Sequence, residues 1–141
     1  TVYENMMIAP LKLSGRKRAS RADDLLGFFD IAHLRDETAG SLSYGQQKLL
    51  EFARILMTDP DIVLLDEPAS GVNPALLERI LGYIEQLNNR GLTFVIIEHN
   101  MDFIGNVCED IVVLANGRII TRGDIDEIQQ NEKVRDAYFG G

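Results

Sequence analysis

IVLLDEP, residues 62–68, runs four apolar side chains into two carboxylates, Asp66 and Glu67, and stops at Pro68. A short apolar run bounded by turn residues reads as a buried strand, the kind covered on both faces in a parallel sheet. LTFVIIE, residues 92–98, reads as a second such strand. Between them Asn73 and Pro74 suit the N-cap and first turn of a helix. Leu76, Leu77, Ile80, Leu81, Ile84 and Leu87 then recur at helical spacing, and Gly91 stops the helix. This strand-helix-strand alternation predicts an α/β fold with a mainly parallel sheet.

Downstream, NMDFIGNVC reads as a short helix, and IVVLANGRIITRG as a hairpin turning at Asn116-Gly117, a strong two-residue turn signal. Asp124 with Glu127 caps a last helix. Upstream the pattern is helical and irregular. LSGRKRASR, residues 13–21, is a basic, turn-rich insert, and a helix begins near Ser20 with Leu25, Leu26, Phe28 and Phe29 on its apolar face. Ser43 and Gln46 have capping-box spacing and open a helix buried through Leu49, Leu50, Ala53, Ile55, Leu56 and Met57. The expected division is a helical part, residues 1–58, and a strand-bearing part, residues 59–141.

In open α/β sheets, ligands gather at the carboxyl ends of strands. Asp66 and Glu67 lie at one such end, Glu98 and His99 at the next. An aspartate there can hold Mg2+ together with water, a neighbouring carboxylate can orient or deprotonate an attacking water, and a histidine can hydrogen-bond a terminal phosphate oxygen. Taken alone, the acid pair also reads as a strand end with solvated carboxylates, and His99 as a structural histidine. Two further features favour the chemical reading. Ser43, Tyr44 and Gly45 place free backbone N–H groups, a hydroxyl and the positive end of a helix dipole together, which suits a phosphate. SGVNP, after the acids, is a loop of little bulk, suited to contact across an interface.

These stretches resemble the ATP-binding subunits of ABC transporters. LSYGQQ is similar to the family signature LSGGQ with Tyr44 in place of a glycine, IVLLDEP to the Walker B strand, SGVN to the D-loop and IIEHN to the switch-histidine strand. The spacing is also similar: 23 residues separate Ser43 from Asp66, and 33 separate Asp66 from His99. The resemblance covers nearly the whole chain and is greatest toward the branched-chain amino-acid uptake subfamily, through LSYGQQKLLEFAR, LLDEPASGVNP, IEHNMDFI and the terminal VRDAYFGG. Lipopolysaccharide-export and urea-uptake ATPases share much of it. The resemblance implies a partial P-loop NTPase fold, a helical subdomain followed by the sheet. It implies ATP and Mg2+ as ligands, with Asp66 at the metal, Glu67 as catalytic base and His99 on the γ-phosphate. Ser43, Tyr44, Gly45 and Gln46 would form the signature turn that closes over nucleotide held by a second subunit. Asn73 stands where many members carry aspartate. The implied partners are a second ATPase subunit, identical or paralogous, transmembrane permease subunits and an external substrate-binding protein. The implied location is peripheral, on the cytoplasmic face of the inner membrane.

The family's phosphate loop, G-x-x-x-x-G-K-[ST], does not occur in these 141 residues, which contain no Gly-Lys pair. It and the glutamine loop would lie upstream of Thr1, and a first residue other than Met leads to the expectation that the start is missing or was cut. The expected molecule is the C-terminal part of an ATPase subunit, inactive alone and with uncovered apolar surface that invites self-association. The rival expectations are a DNA-repair or chromosome ATPase head and a catalytically incompetent interaction module. The net charge of −8 argues against a general nucleic-acid partner, and there is no heptad run. The single cysteine, Cys108, excludes an internal disulfide and reads as a small buried residue. No apolar run approaches the roughly 20 residues that cross a bilayer, and no secretion leader is read. Arg16, Lys17, Arg18 and Arg21 read as a solvated loop, with a permease or lipid-headgroup contact as the functional alternative. His33 reads as a helix-end residue without a metal role, and Arg54 as pairing with a nearby acid.

Overall fold

A computed structural model describes residues 1–9 and 15–139; the start of the basic insert, residues 13 and 14, and the terminal Gly140-Gly141 lie outside the described residues. Helix α1, Val2–Ile8, opens on a capping box between Thr1 and Glu4. Helix α2 spans Gly15–Phe28 and α3 spans Tyr44–Leu56, with two short 3-10 turns between them. Strand β1, Ile62–Asp66, leads through a loop to α4, Pro74–Asn88, and back to β2, Thr93–Ile97. Helix α5, Met101–Val107, precedes the hairpin of β3, Ile111–Ala115, and β4, Arg118–Gly123. Helices α6, Ile125–Gln130, and α7, Glu132–Phe139, follow.

β1 and β2 pair in parallel, Ile62 opposite Thr93 through Asp66 opposite Ile97. β3 and β4 pair antiparallel, with an irregularity between Val113 and Leu114. The fold is therefore α/β, with the parallel part limited to two strands among the described residues. Asn116 and Gly117 both adopt positive φ, 50° and 73°, the backbone that a tight hairpin turn requires.

Apolar burial builds two cores. The main one joins Val2 and Met6 of α1, Leu26 of α2, Leu49, Leu50 and Ala53 of α3, Val63 and Leu65 of β1, Ile80 and Ile84 of α4, and Phe103 of α5. It runs across residue 58 without a break. The ring of Phe29, just past α2, meets Tyr83 of α4 edge-on, with centroids 4.8 Å apart. A smaller core joins Ile104, Ile111, Val113, Ile128 and Val134.

Three expectations change. β1 is covered on one face rather than two. In parallel pairing, opposed residues share a face, and Ile62, Leu64, Val95 and Ile97 all lie exposed, Leu64 at 74%. Ile55 is likewise exposed, and Phe52 takes a core position in α3 instead. The basic run is helical from Gly15, not a loop. Arg18 reaches the carbonyl oxygens of Met7 and Ala9. Arg21 donates to Leu56 O at 2.6 Å and to Asp59 Oδ1 at 2.7 Å. At the end of α3 the Leu56 carbonyl also accepts from Asp59 N–H at 3.2 Å, and the guanidinium adds a second donor there and complements the helix dipole.

Candidate functional site

The parallel pair brings its two carboxyl ends together. Asp66 closes β1 and is exposed. Its side chain makes no hydrogen bond or ion pair among the described residues. The chain then turns: Glu67 adopts φ 46°, and its N–H donates to Ile97 O at 2.9 Å, prolonging the ladder by one bond. Left-handed backbone is unfavourable for a side chain other than Gly, Asn or Asp. Here it swings the Glu67 carboxylate toward the next strand end. Glu67 Oε1 lies 3.5 Å from His99 Nδ1, with side chains 53% and 70% exposed. Acid and imidazole therefore share one solvent-facing spot.

Glu98, between β2 and His99, behaves in the opposite way. Its side chain is 1% exposed. The carboxylate accepts from Ala69 N–H at 2.8 Å, His99 N–H at 2.9 Å and Asn100 N–H at 3.1 Å. The alternation of strand β2 carries no sign of this inward turn.

The signature-like turn sits on the other side of the loop after the acids. Ser43 and Gln46 form the anticipated box: Ser43 N–H donates to Gln46 Oε1 at 2.9 Å, and Gln46 N–H to Ser43 Oγ at 3.4 Å. Tyr44 Oη donates to Ser70 O at 3.0 Å, and its ring covers Gly71, where φ is 68°. A Cβ at Gly45 would come within 2.8 Å of Leu76 Cδ2 in α4, so a larger residue there would make the Leu76 side chain shift. Asn73 caps α4, accepting from Leu76 N–H at 2.9 Å. Ser43 and Gln46 make no hydrogen bond to Asp66, Glu67 or His99 among the described residues. The structure thus brings Glu67 and His99 together and ties Tyr44 to the loop after Glu67, and it leaves Ser43 and Gln46 apart from the acids.

Among the described residues no group of three or more His, Cys, Asp and Glu is arranged to hold a metal by itself. One exposed, uncommitted carboxylate is the donor set that Mg2+ uses when water and a phosphate complete its shell, so Asp66 fits such an ion. Arg54 makes no ion pair among the described residues, against expectation. His33 lies in the first 3-10 turn. Cys108 is half-buried, and burial pushes its thiol above the ordinary value.

Comparison with known proteins gives this arrangement a class. Residues 1–70 match the ABC transporter family model, and the chain belongs to that family. It is 40% identical over 99% of its length to a probable branched-chain amino-acid transport ATP-binding protein, LivG, of Methanocaldococcus jannaschii, covering 62% of that protein. It is also 37% identical, again over 99% of its length, to the lipopolysaccharide export system ATP-binding protein LptB of Haemophilus influenzae, covering 59% of it. The fold matches a crystal structure of the ADP conformation of an ATP-binding cassette of an ABC transporter, with a TM-score of 0.88 and 35% identity, over 100% of this chain and 63% of that one. The chain spans about 60% of the length of the relatives it matches.

Proposed function

We propose that the chain supplies the water-activating and signature parts of an ABC-type ATPase that energises solute import, with branched-chain or other hydrophobic amino acids as cargo. The observation that carries this reading is the 3.5 Å approach of His99 Nδ1 to Glu67 Oε1 at adjacent parallel strand ends, where α/β folds assemble their ligand sites. Glu67 orients a water for in-line attack on the γ-phosphate and takes up its proton; ADP leaves and inorganic phosphate forms. His99 donates a hydrogen bond to a γ-phosphate oxygen. Asp66 would hold Mg2+ together with water and phosphate oxygens, and the ion would supply neutralisation of phosphate charge. The N-terminus of α3, with Ser43, Tyr44, Gly45 and Gln46, faces nucleotide held by a second ATPase subunit, and the loop ending at Asn73 meets that subunit too. Residues 1–58 do the signature and docking work, and residues 59–141 carry the hydrolytic groups, although the main core spans both.

The phosphate-cradling loop comes from outside these 141 residues. Permease subunits and a substrate-binding protein complete the importer, with the ATPase at the cytoplasmic membrane face. The charge of −8 supports a role without nucleic acid. No helix among the described residues is long and apolar enough to cross a membrane.

Joining the chain to a segment with a Gly-Lys phosphate loop tests the reading. The joined protein is expected to hydrolyse Mg-ATP, and Glu67→Gln to abolish turnover, while the 141 residues alone bind ATP weakly and turn it over negligibly. Robust turnover by the 141 residues that depends on Glu67 would overturn the division of labour. The 37% identity to a lipopolysaccharide-export protein favours a second reading, the same ATPase on an exporter. Copurification of the permease partners separates the two.

A further inference from the structure

Three backbone N–H groups converge on the buried Glu98 carboxylate. Ala69 donates to Oε1, and His99 and Asn100 donate to Oε2. These donors sit on both segments that carry the candidate chemistry: Ala69 follows Glu67 by two residues, and His99 is itself the imidazole residue. An ionised carboxylate has two acceptor oxygens and no donor, so each segment gets its own oxygen. Hydrogen bonds to the ionised group are the stronger kind, and they offset the cost of taking a charge out of water. An amide of the same shape would aim an NH2 group at one set of N–H donors. The chemistry at residue 98 therefore calls for Glu rather than for any polar residue of its size.

We propose that Glu98 is a positioning residue that fixes the separation of Glu67 and His99. It clamps the backbone after one to the backbone of the other and touches no substrate. The clamp explains how a glutamate at φ 46° stays in that conformation, since strained backbone persists where its surroundings over-determine it. The Glu67 N–H to Ile97 O bond supplies the second fixed point. Only the activity arm of the following test rests on the ATPase reading.

In the wild-type chain, NMR should detect scalar couplings across hydrogen bonds from the Ala69 and His99 amide nitrogens to the Glu98 carboxyl carbon. Their absence overturns the clamp whatever the enzyme does. Glu98→Gln should speed amide exchange at Ala69, or at His99 and Asn100, by about tenfold or more, with α3 amides unchanged. Unchanged exchange overturns the proposal. In the joined ATPase, Glu98→Gln should lower kcat by about 10- to 100-fold and leave KM for ATP within about twofold. Glu98→Asp keeps the charge but is too short to reach both segments, and it should fall likewise. Wild-type kcat per folded molecule in either variant overturns the proposal and leaves the ATPase reading intact. If the joined protein turns over no ATP at all, the ATPase reading fails, and the couplings and exchange still decide whether Glu98 holds the two segments.

Discussion

Glu67 holds a left-handed backbone that glycine would adopt without penalty. Its 3.5 Å contact with His99 is exposed and contributes little to stability. Glu67→Gly is therefore expected to stabilise the chain by up to about 1 kcal/mol in urea unfolding, while removing the proposed water-activating group. A fall in the unfolding midpoint would contradict the strain. On the hairpin, Arg122 donates to both oxygens of Asp110, at 2.8 and 2.5 Å. The guanidinium holds the Asp110 carboxyl below the ordinary aspartate value. A depressed folded pKa gives stability that is complete above the unfolded value and is lost as pH falls through the folded one. Arg122→Gln should therefore lower hairpin stability at neutral pH and flatten its acid dependence, slightly because both groups are solvated; hairpin amide exchange at two pH values checks this. Residue-scale legibility was uneven. Asn116-Gly117 announces its own dihedrals, because few other residue types tolerate them. Neither the φ of Glu67 nor the inward turn of Glu98 has such a signature. Both follow from contacts between segments about 30 positions apart.

At the scale of elements, capping chemistry was the most readable feature. Ser43 with Gln46, Asn73 with Pro74 and Asp124 with Glu127 all stand where side-chain acceptors meet open N–H groups. Asn73→Ala should cost about 1 kcal/mol through the lost cap of α4, read as a lower midpoint with an unchanged urea slope. Gly45→Ala should destabilise the packing of α3 on α4, and Leu76→Ala in the same chain should couple favourably with it by making room for the new methyl; additivity in the double-mutant cycle would contradict that contact. The start of α2 was not readable from local pattern. Its first turns are basic and nearly devoid of apolar residues, and they are held by Arg18 and Arg21 reaching carbonyls of Met7 in α1 and Leu56 in α3. Continuous apolar character in β1 likewise showed a strand but not which faces have neighbours, since periodicity cannot report what lies opposite.

Over the whole molecule, the uncovered face of the parallel pair is the feature most at odds with solubility. Ile62, Leu64, Val95 and Ile97 form a contiguous apolar strip in water, the kind of surface that drives association. The 141 residues are expected to sediment as concentration-dependent oligomers, and Leu64→Lys to shift them toward monomer without lowering the unfolding midpoint. A sharp monomer peak for the unaltered chain at high concentration would contradict this.

Helix α5 places consecutive residues in different cores, Phe103 in the larger and Ile104 in the smaller. Seven residues thus bear much of the mechanical continuity between the hairpin end and the rest. Under gentle warming the hairpin and the helices after it should loosen first as their own cooperative unit, and limited proteolysis should nick near Glu109 well before it reaches the strands beneath α4.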